Sequence, residues 1–142
     1  MFDVNLVLMD GTVVTTTALD TPATSATRDA TTGAAVIDLE KTGVTGLVAV
    51  MFCSDLAVGA DAYTLTAYLE ASDAVAFGSA VERLASFGVA NATTGVIIGS
   101  ETPLVATVRF ATKKRYVRIN ATVSNDFGYI KVYLTPWPFK VL

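Results

Sequence analysis

The residues best suited to bind a charged ligand form one short basic cluster. Five of the ten Lys and Arg residues lie within ten positions, with no acidic residue between them: Arg109, Lys113, Lys114, Arg115 and Arg118. Such side chains bind phosphate and carboxylate groups through charge-assisted hydrogen bonds. The cluster therefore indicates a solvated turn, a contact with an acidic surface of a protein partner, or a nucleic-acid site.

The sequence around this basic cluster favours the first two interpretations. An apolar face alternates with polar residues just after it: Val117, Ile119, Ala121 and Val123. This period of two predicts a strand, which places Lys113–Arg115 in the turn between two antiparallel strands. Aromatic residues that would stack on bases are limited to Phe110 and Tyr116. The net charge of −3 also argues weakly against a general polyanion binder.

Carboxylates are the only acid–base groups present in quantity. Four of them lie in predicted loops: Asp55, Asp61, Asp73 and Asp126. Two carboxylates flanking a cleft would suit a glycosidase, and several together would suit Ca²⁺. Asp is nonetheless common in turns because it bonds its own backbone there, and no calcium-loop spacing occurs. We predict neither a catalytic nor a metal site.

The histidine and cysteine content excludes several classes of catalytic and metal site. Histidine is absent, which excludes Ser-His-Asp and Cys-His nucleophile systems and helical HExxH zinc sites. Cys53 is the only cysteine and lies in a strongly apolar segment, so an inert core thiol is expected rather than a redox group. The sequence contains no phosphate-binding glycine motif. We therefore expect a protein that is not an enzyme and has no cofactor.

The elements that position these residues are predicted to be strands. Alternating segments occur along most of the chain, such as "FDVNLVLM", "YTLTAYLEA", "PLVATVRFA" and "GYIKVYLT". "GLVAVMFCS", residues 46–54, is apolar on both faces, as in a strand covered on both sides. Turn residues recur every eight to twelve positions, which is typical of an all-β sandwich or barrel. Phe77–Gly88 is the only helix candidate.

These patterns predict one antiparallel β-sandwich domain over residues 1–135, with an extended tail over residues 136–142. Residues 15–33 are rich in Thr, Ala and Asp and are expected to form a surface loop or arm. The tail contains two prolines and four apolar residues that are costly to leave in water: Trp137, Phe139, Val141 and Leu142. We expect these four side chains to pack on this domain or on a partner.

Other segments bear on location and ligands. The N-terminal "MFDVNLVLMDG" lacks the basic region of a signal peptide, and no run of about 18 apolar residues occurs, so we expect synthesis in a cytoplasm without membrane insertion. Tyr129 and Tyr133 share one face of the last predicted strand. They would suit either edge-strand packing or a platform for stacking sugars.

Taken along its length, the chain resembles the capsid cement (decoration) proteins of tailed bacteriophages, a family that includes that of a short-tailed Bordetella phage. The resemblance covers most of the chain, up to about Thr135. It rests on four segments, which run from Asp3 to Asp10, Val36 to Leu39, Leu69 to Phe77 and Arg115 to Asn120. Two segments depart from the family pattern, since residues 15–33 are longer and "PWPFKVL" is an addition.

The resemblance implies a jelly-roll-like sandwich bound to the outer surface of an icosahedral capsid, as a homodimer or homotrimer. Its partners would be the major capsid protein and itself, without direct contact to nucleic acid or membrane. The role would be to hold the shell against internal DNA pressure, and the Lys113–Arg118 turn would be able to contact an acidic coat surface. The alternative is a carbohydrate- or receptor-binding sandwich of a virion or cell surface.

Overall fold

Eight strands make up the part of the chain that the computed structural model describes, namely residues 6–13, 35–40, 44–54, 64–91, 104–123 and 129–136. Their bounds are β1 Val7–Val13, β2 Ile37–Asp38, β3 Val44–Ser54, β4 Thr64–Ser72, β5 Glu82–Asn91, β6 Leu104–Thr112, β7 Tyr116–Val123 and β8 Tyr129–Pro136. No helix long and apolar enough to cross a membrane occurs in these residues.

The strands form two four-stranded antiparallel sheets that pack against each other. Sheet I has the order β1-β8-β3-β6, and sheet II has the order β2-β7-β4-β5. The predicted all-β antiparallel sandwich is therefore confirmed. Four of the pairings nest within one another along the chain, since β4 pairs with β5, β3 with β6, β2 with β7 and β1 with β8.

The core lies between the two sheets and follows from the period of two. Its members come from seven of the eight strands: Leu8, Met9, Ile37, Ala49, Met51, Ala67, Leu69, Ala71, Phe110, Val117, Ile119, Ala121, Ile130, Val132 and Leu134. The faces predicted for β7 and β8 are confirmed, because Val117, Ile119 and Ala121 of β7 and Ile130, Val132 and Leu134 of β8 are all buried. Their alternate neighbours consequently point away from the core.

Strand β3 is apolar on both faces, as its sequence predicts. Ala49 and Met51 point into the core, while Val48 and Val50 lie on the outer face of sheet I. The two valines are nevertheless only 4% and 1% exposed. Val50 lies between its cross-strand partners Thr107 and Tyr133, so sheet I carries a second buried apolar layer on its outer side.

The helix considered for Phe77–Gly88 is not formed. Residues 73–81 form the turn after β4, and β5 begins at Glu82. Two register shifts interrupt the pairing of β4 with β5, at Thr66/Tyr68 and at Leu69/Glu70. Because each bulge inserts an extra residue, the apolar positions of β5 lose the spacing of two and imitate a helical pattern.

Several predicted features fall outside the described residues. These are the arm over residues 15–33, the segment "GVIIG" over residues 95–99, whose apolar sequence predicts a short strand, and the tail beyond Pro136.

Candidate functional site

The basic cluster surrounds the turn over residues 113–115, which joins β6 of sheet I to β7 of sheet II. Thr112 is buried at the end of β6, and its Oγ1 accepts a hydrogen bond from the backbone N–H of Lys114 at 2.9 Å. This side-chain bond replaces a backbone partner and fixes the start of the turn. Lys113–Arg115 lie in a turn between two strands, as predicted, but the two strands belong to different sheets and do not pair with each other.

Arg115 joins this turn to β2. Its Nε and Nη2 donate to Oδ1 and Oδ2 of Asp38 at 2.8 and 2.7 Å, and the backbone N–H of Leu39 donates to the Arg115 carbonyl. The guanidinium of Arg115, with help from the N–H of Glu40, lowers the pKa of Asp38, and Asp38 in turn raises the pKa of Arg115. Both side chains are partly exposed, so the pair aligns β2 on β7 more than it adds stability.

Lys114 extends from the same turn towards the β4–β5 turn. Its Nζ lies 2.6 Å from Oδ2 of Asp73, the first residue after β4. The hydrogen bond and the charge of Asp73 raise the pKa of Lys114, so the amine stays protonated at neutral pH. Because Asp73 is 59% exposed, the contact holds the β4–β5 turn against the β6–β7 turn rather than forming a buried site.

Arg118 is the most enclosed member of the cluster. Its Nε and Nη2 donate to Oε2 of Glu70 at 3.1 and 3.0 Å, and Asn120 Nδ2 donates to the other carboxylate oxygen at 3.2 Å. The Phe77 ring lies 4.2 Å from the guanidinium carbon and covers it. Only 14% of the Arg118 side chain and 6% of the Glu70 side chain is exposed. The outer face of sheet II therefore contains a shielded, satisfied polar network.

The β4–β5 turn that supplies Phe77 is held by its own hydrogen bonds. Ser72 is fully buried; its Oγ donates to the Ser79 carbonyl and accepts from the Ala74 N–H. Phe77 and Ala80 adopt left-handed backbone conformations, with φ of 51° and 52°. Such strain persists only where surrounding contacts enforce it. The turn is consequently preorganised, and it presents Val75 and Val81 to solvent at 38% and 40% exposure.

The five basic side chains do not converge on one ligand position. Arg115, Lys114 and Arg118 each bind a different carboxylate, on β2, the β4–β5 turn and β4. Lys113 is exposed at the tip, and Arg109 is exposed on the outer face of β6. The candidate partner-binding residues Trp137, Phe139, Val141 and Leu142 lie outside the described residues.

Sequence reasoning missed the three acids that pair with the cluster. Asp38, Glu70 and Asp73 are 77, 48 and 41 residues away from their partners along the chain. Glu70 lies opposite Arg118 only because β4 pairs with β7 in that register. The one available signal was Glu70 itself, a charge in the middle of a strand whose other neighbours are uncharged.

The other chemical candidates are not assembled in the described residues. Asp73 binds Lys114, whereas Asp55, Asp61 and Asp126 lie outside the described ranges. Within those ranges, no three acidic or cysteine side chains are grouped closely enough to hold a metal ion. Tyr133 is half-buried and packs edge-on against Phe52, with ring centroids 6.1 Å apart.

Comparison with known proteins does not assign the chain to a family. No protein-family model matches the chain, and no curated protein matches it either.

Proposed function

We propose that this chain is a structural protein of a bacteriophage virion, a cement subunit that binds the outer surface of the icosahedral capsid and stabilises it. Its partners are the major capsid protein and further copies of itself. It would be made in the cytoplasm of the bacterial host and reside on the capsid exterior. The role needs no catalysis, cofactor or metal.

The observation that carries this proposal is the nesting of the strand pairs. The pairs β4·β5, β3·β6, β2·β7 and β1·β8 are those produced when one long antiparallel ribbon folds over into two sheets. An eight-stranded jelly roll requires this pattern, and jelly rolls are common in viral capsid proteins. It agrees with the jelly-roll-like fold that the resemblance to cement proteins implies.

The electrostatics of the β6–β7 turn support a protein–protein role. Three cations of the cluster pair with acids of the same chain, which leaves few of them for a polyanion. Lys113 is exposed at the tip of the turn and would suit a limited acidic area on a coat subunit. Contacts of modest strength suffice when many copies bind one shell.

The three ion pairs would also help a cement subunit to resist mechanical load. They join β2 to β7, β7 to β4, and the two turns at one end of sheet II. A cement subunit must transmit load between neighbours without opening. Cross-strand ion pairs add such resistance where several act together.

Carbohydrate binding is less well supported by the described residues. Sugar stacking requires an open aromatic ring, but Phe77 is buried over Arg118, and Tyr68 is covered by Arg83 at 3.6 Å. Tyr133 is partly covered by Phe52. A glycan array provides the corresponding test, and specific retention of one glycan class would favour this alternative.

The proposed function is tested by co-sedimentation with emptied, expanded heads of the phage that encodes the chain. We expect saturable binding at a fixed ratio to coat subunits. A truncated protein lacking residues 137–142 should bind more weakly, since we propose that Trp137 and Phe139 contact a neighbouring subunit. Absence of binding by the full-length protein would refute the capsid role, whereas equal binding by the truncated protein would refute only the role of the tail.

A further inference from the structure

The four edge strands of the sandwich differ in how well they are protected against pairing with another chain. Exposed edges invite pairing, and short strands and bulges prevent it. Strand β2 has two residues, and the pairings of β1 and β5 contain two register shifts each. Strand β6 is nine residues long, and the single register shift in its pairing with β3 places the extra residue on β3, between Val44 and Leu47. From Leu104↔Cys53 to Phe110↔Leu47 the pairing has no break.

The composition of β6 offers little further protection. Arg109 is the only charged residue among its nine, LVATVRFAT. Val105, Thr107 and Arg109 are exposed on the outer face, and Val105 at 54% is the most exposed large hydrophobic side chain in the described residues. Within the described part of the chain, β6 pairs only with β3. No strand of the described residues pairs with its other side, where the outward backbone donors and acceptors form one row.

We propose that β6 is a self-association edge, on which β6 of a second copy pairs antiparallel across a two-fold axis. The two copies of sheet I then form one continuous eight-stranded sheet. This proposal does not rest on the capsid role. It names the surface and the geometry through which the chain would associate with itself.

A second copy fits this edge because β6 is complementary to itself. With the two-fold axis near Thr107, Thr107 faces its own copy, and Val105 faces Arg109 of the other chain. Threonine pairs are favourable across strands, and the two Arg109 side chains are kept apart. Both strands also keep their apolar faces on the same side, so the two cores remain in register.

The association is expected to stop at two copies. An isologous interface about a two-fold axis uses the same patch on both subunits and leaves no second patch to continue the sheet. β5 packs against β6 at the same side of the sandwich, so its side chains would add to the buried area. A strand pair alone buries less than the standard interface, so these additional contacts would be needed for a stable dimer.

The test is the mass of the purified full-length protein by sedimentation velocity, from micromolar to submillimolar concentration. We expect a concentration-dependent dimer. The double variant V105K/T107K should be monomeric, because it places like charges along the edge. The control V75K/V81K changes the exposed valines of the β4–β5 turn and should dimerise as the natural protein does. Circular dichroism shows whether each variant is folded.

A monomer across the whole range, or a dimer that persists in a folded V105K/T107K, would overturn the proposal. If the natural protein is monomeric, β6 does not pair with a second copy, and a strand of a different protein becomes the candidate for this edge. If the variant does not fold, hydrogen exchange of the natural protein decides. Amides of β6 should become more protected as concentration rises, while those of β4 stay constant. Protection of β6 that is independent of concentration would equally overturn it. Neither result depends on whether the protein binds capsids.

Discussion

Glu70 on β4 and Arg118 on β7 are direct cross-strand partners, and their side chains meet with Oε2 and Nη2 3.0 Å apart. The pair lies on the outer face of sheet II but is shielded by Phe77 from the β4–β5 turn. A residue that looks like a surface cation in the sequence is thus part of the fold. The surface charge available to a partner is smaller than the basic cluster suggests.

Removing the Glu70 carboxylate should destabilise the folded protein. Glu70→Ala leaves Arg118 and Asn120 without their acceptor in a shielded position, so we expect the free energy of unfolding to fall by about 3 kcal/mol. Urea denaturation monitored by circular dichroism measures this. Asp73→Ala is the matched control, because its partner Lys114 can turn to solvent, and it should change stability little.

A double-mutant cycle separates the pair from its neighbours. Glu70→Ala combined with Arg118→Ala should destabilise by less than the sum of the single changes, because each single change leaves the other charge unpaired. Strictly additive effects would show that the two side chains do not interact in solution.

The Asp38–Arg115 pair predicts a pH dependence. The pKa of Asp38 is lowered from 3.8 by the guanidinium of Arg115, so the folded state binds this proton less readily than the unfolded state. The contribution is therefore complete above the unfolded-state pKa and is lost as pH falls through the folded-state pKa. Asp38→Asn should be less stable than the natural protein near neutrality, and the difference should shrink as the pH falls through the folded-state pKa of Asp38.

Denaturation midpoints of both proteins across this pH range provide the measurement. Because the pair is exposed, added salt should shrink the difference at neutral pH. A gap between the two proteins that is constant from acid to neutral pH would contradict the assignment.

Ala80 has a left-handed backbone conformation, so replacing it with glycine should stabilise the protein rather than destabilise it. Replacing it with glycine relieves a steric cost of about 1–2 kcal/mol but increases the freedom of the unfolded chain by about 0.4–1 kcal/mol. Ala80→Gly should thus raise the free energy of unfolding by about 0.5 kcal/mol. Ala76→Gly, in the same turn without a positive φ, should lower it. If both changes destabilise equally, the turn is not strained as described.

The paired cations also predict weak binding to nucleic acid. In a low-salt filter-binding titration with single- and double-stranded oligonucleotides, we expect no retention at micromolar protein. Tight retention with a steep salt dependence would mean that the cluster contacts phosphates despite its intramolecular partners.

The sequence predicted the sandwich because burial imposes a period of two on strands such as β4, β7 and β8, and because β3 is apolar on both faces. It failed at β5, where two bulges remove that period and imitate a helix. The position of a bulge depends on how two strands pair, and the sequence of one strand alone does not contain this information.

For the candidate site, the sequence predicted that Lys113–Arg115 form a turn but not that their neighbours supply the counter-charges. The acids lie 41 to 77 residues away and become neighbours only when β2, β4 and β7 are ordered in sheet II. Pairing over such distances is a property of topology, so local patterns of charge cannot reveal it.

The proposed stabilisation of a capsid is tested most directly by the thermal dissociation of emptied, expanded heads with and without the purified protein. We predict that saturating protein raises the dissociation temperature of the heads, and that the increase disappears when the protein is removed. Heads that bind the protein but dissociate at an unchanged temperature, or that do not bind it at all, would contradict the claim.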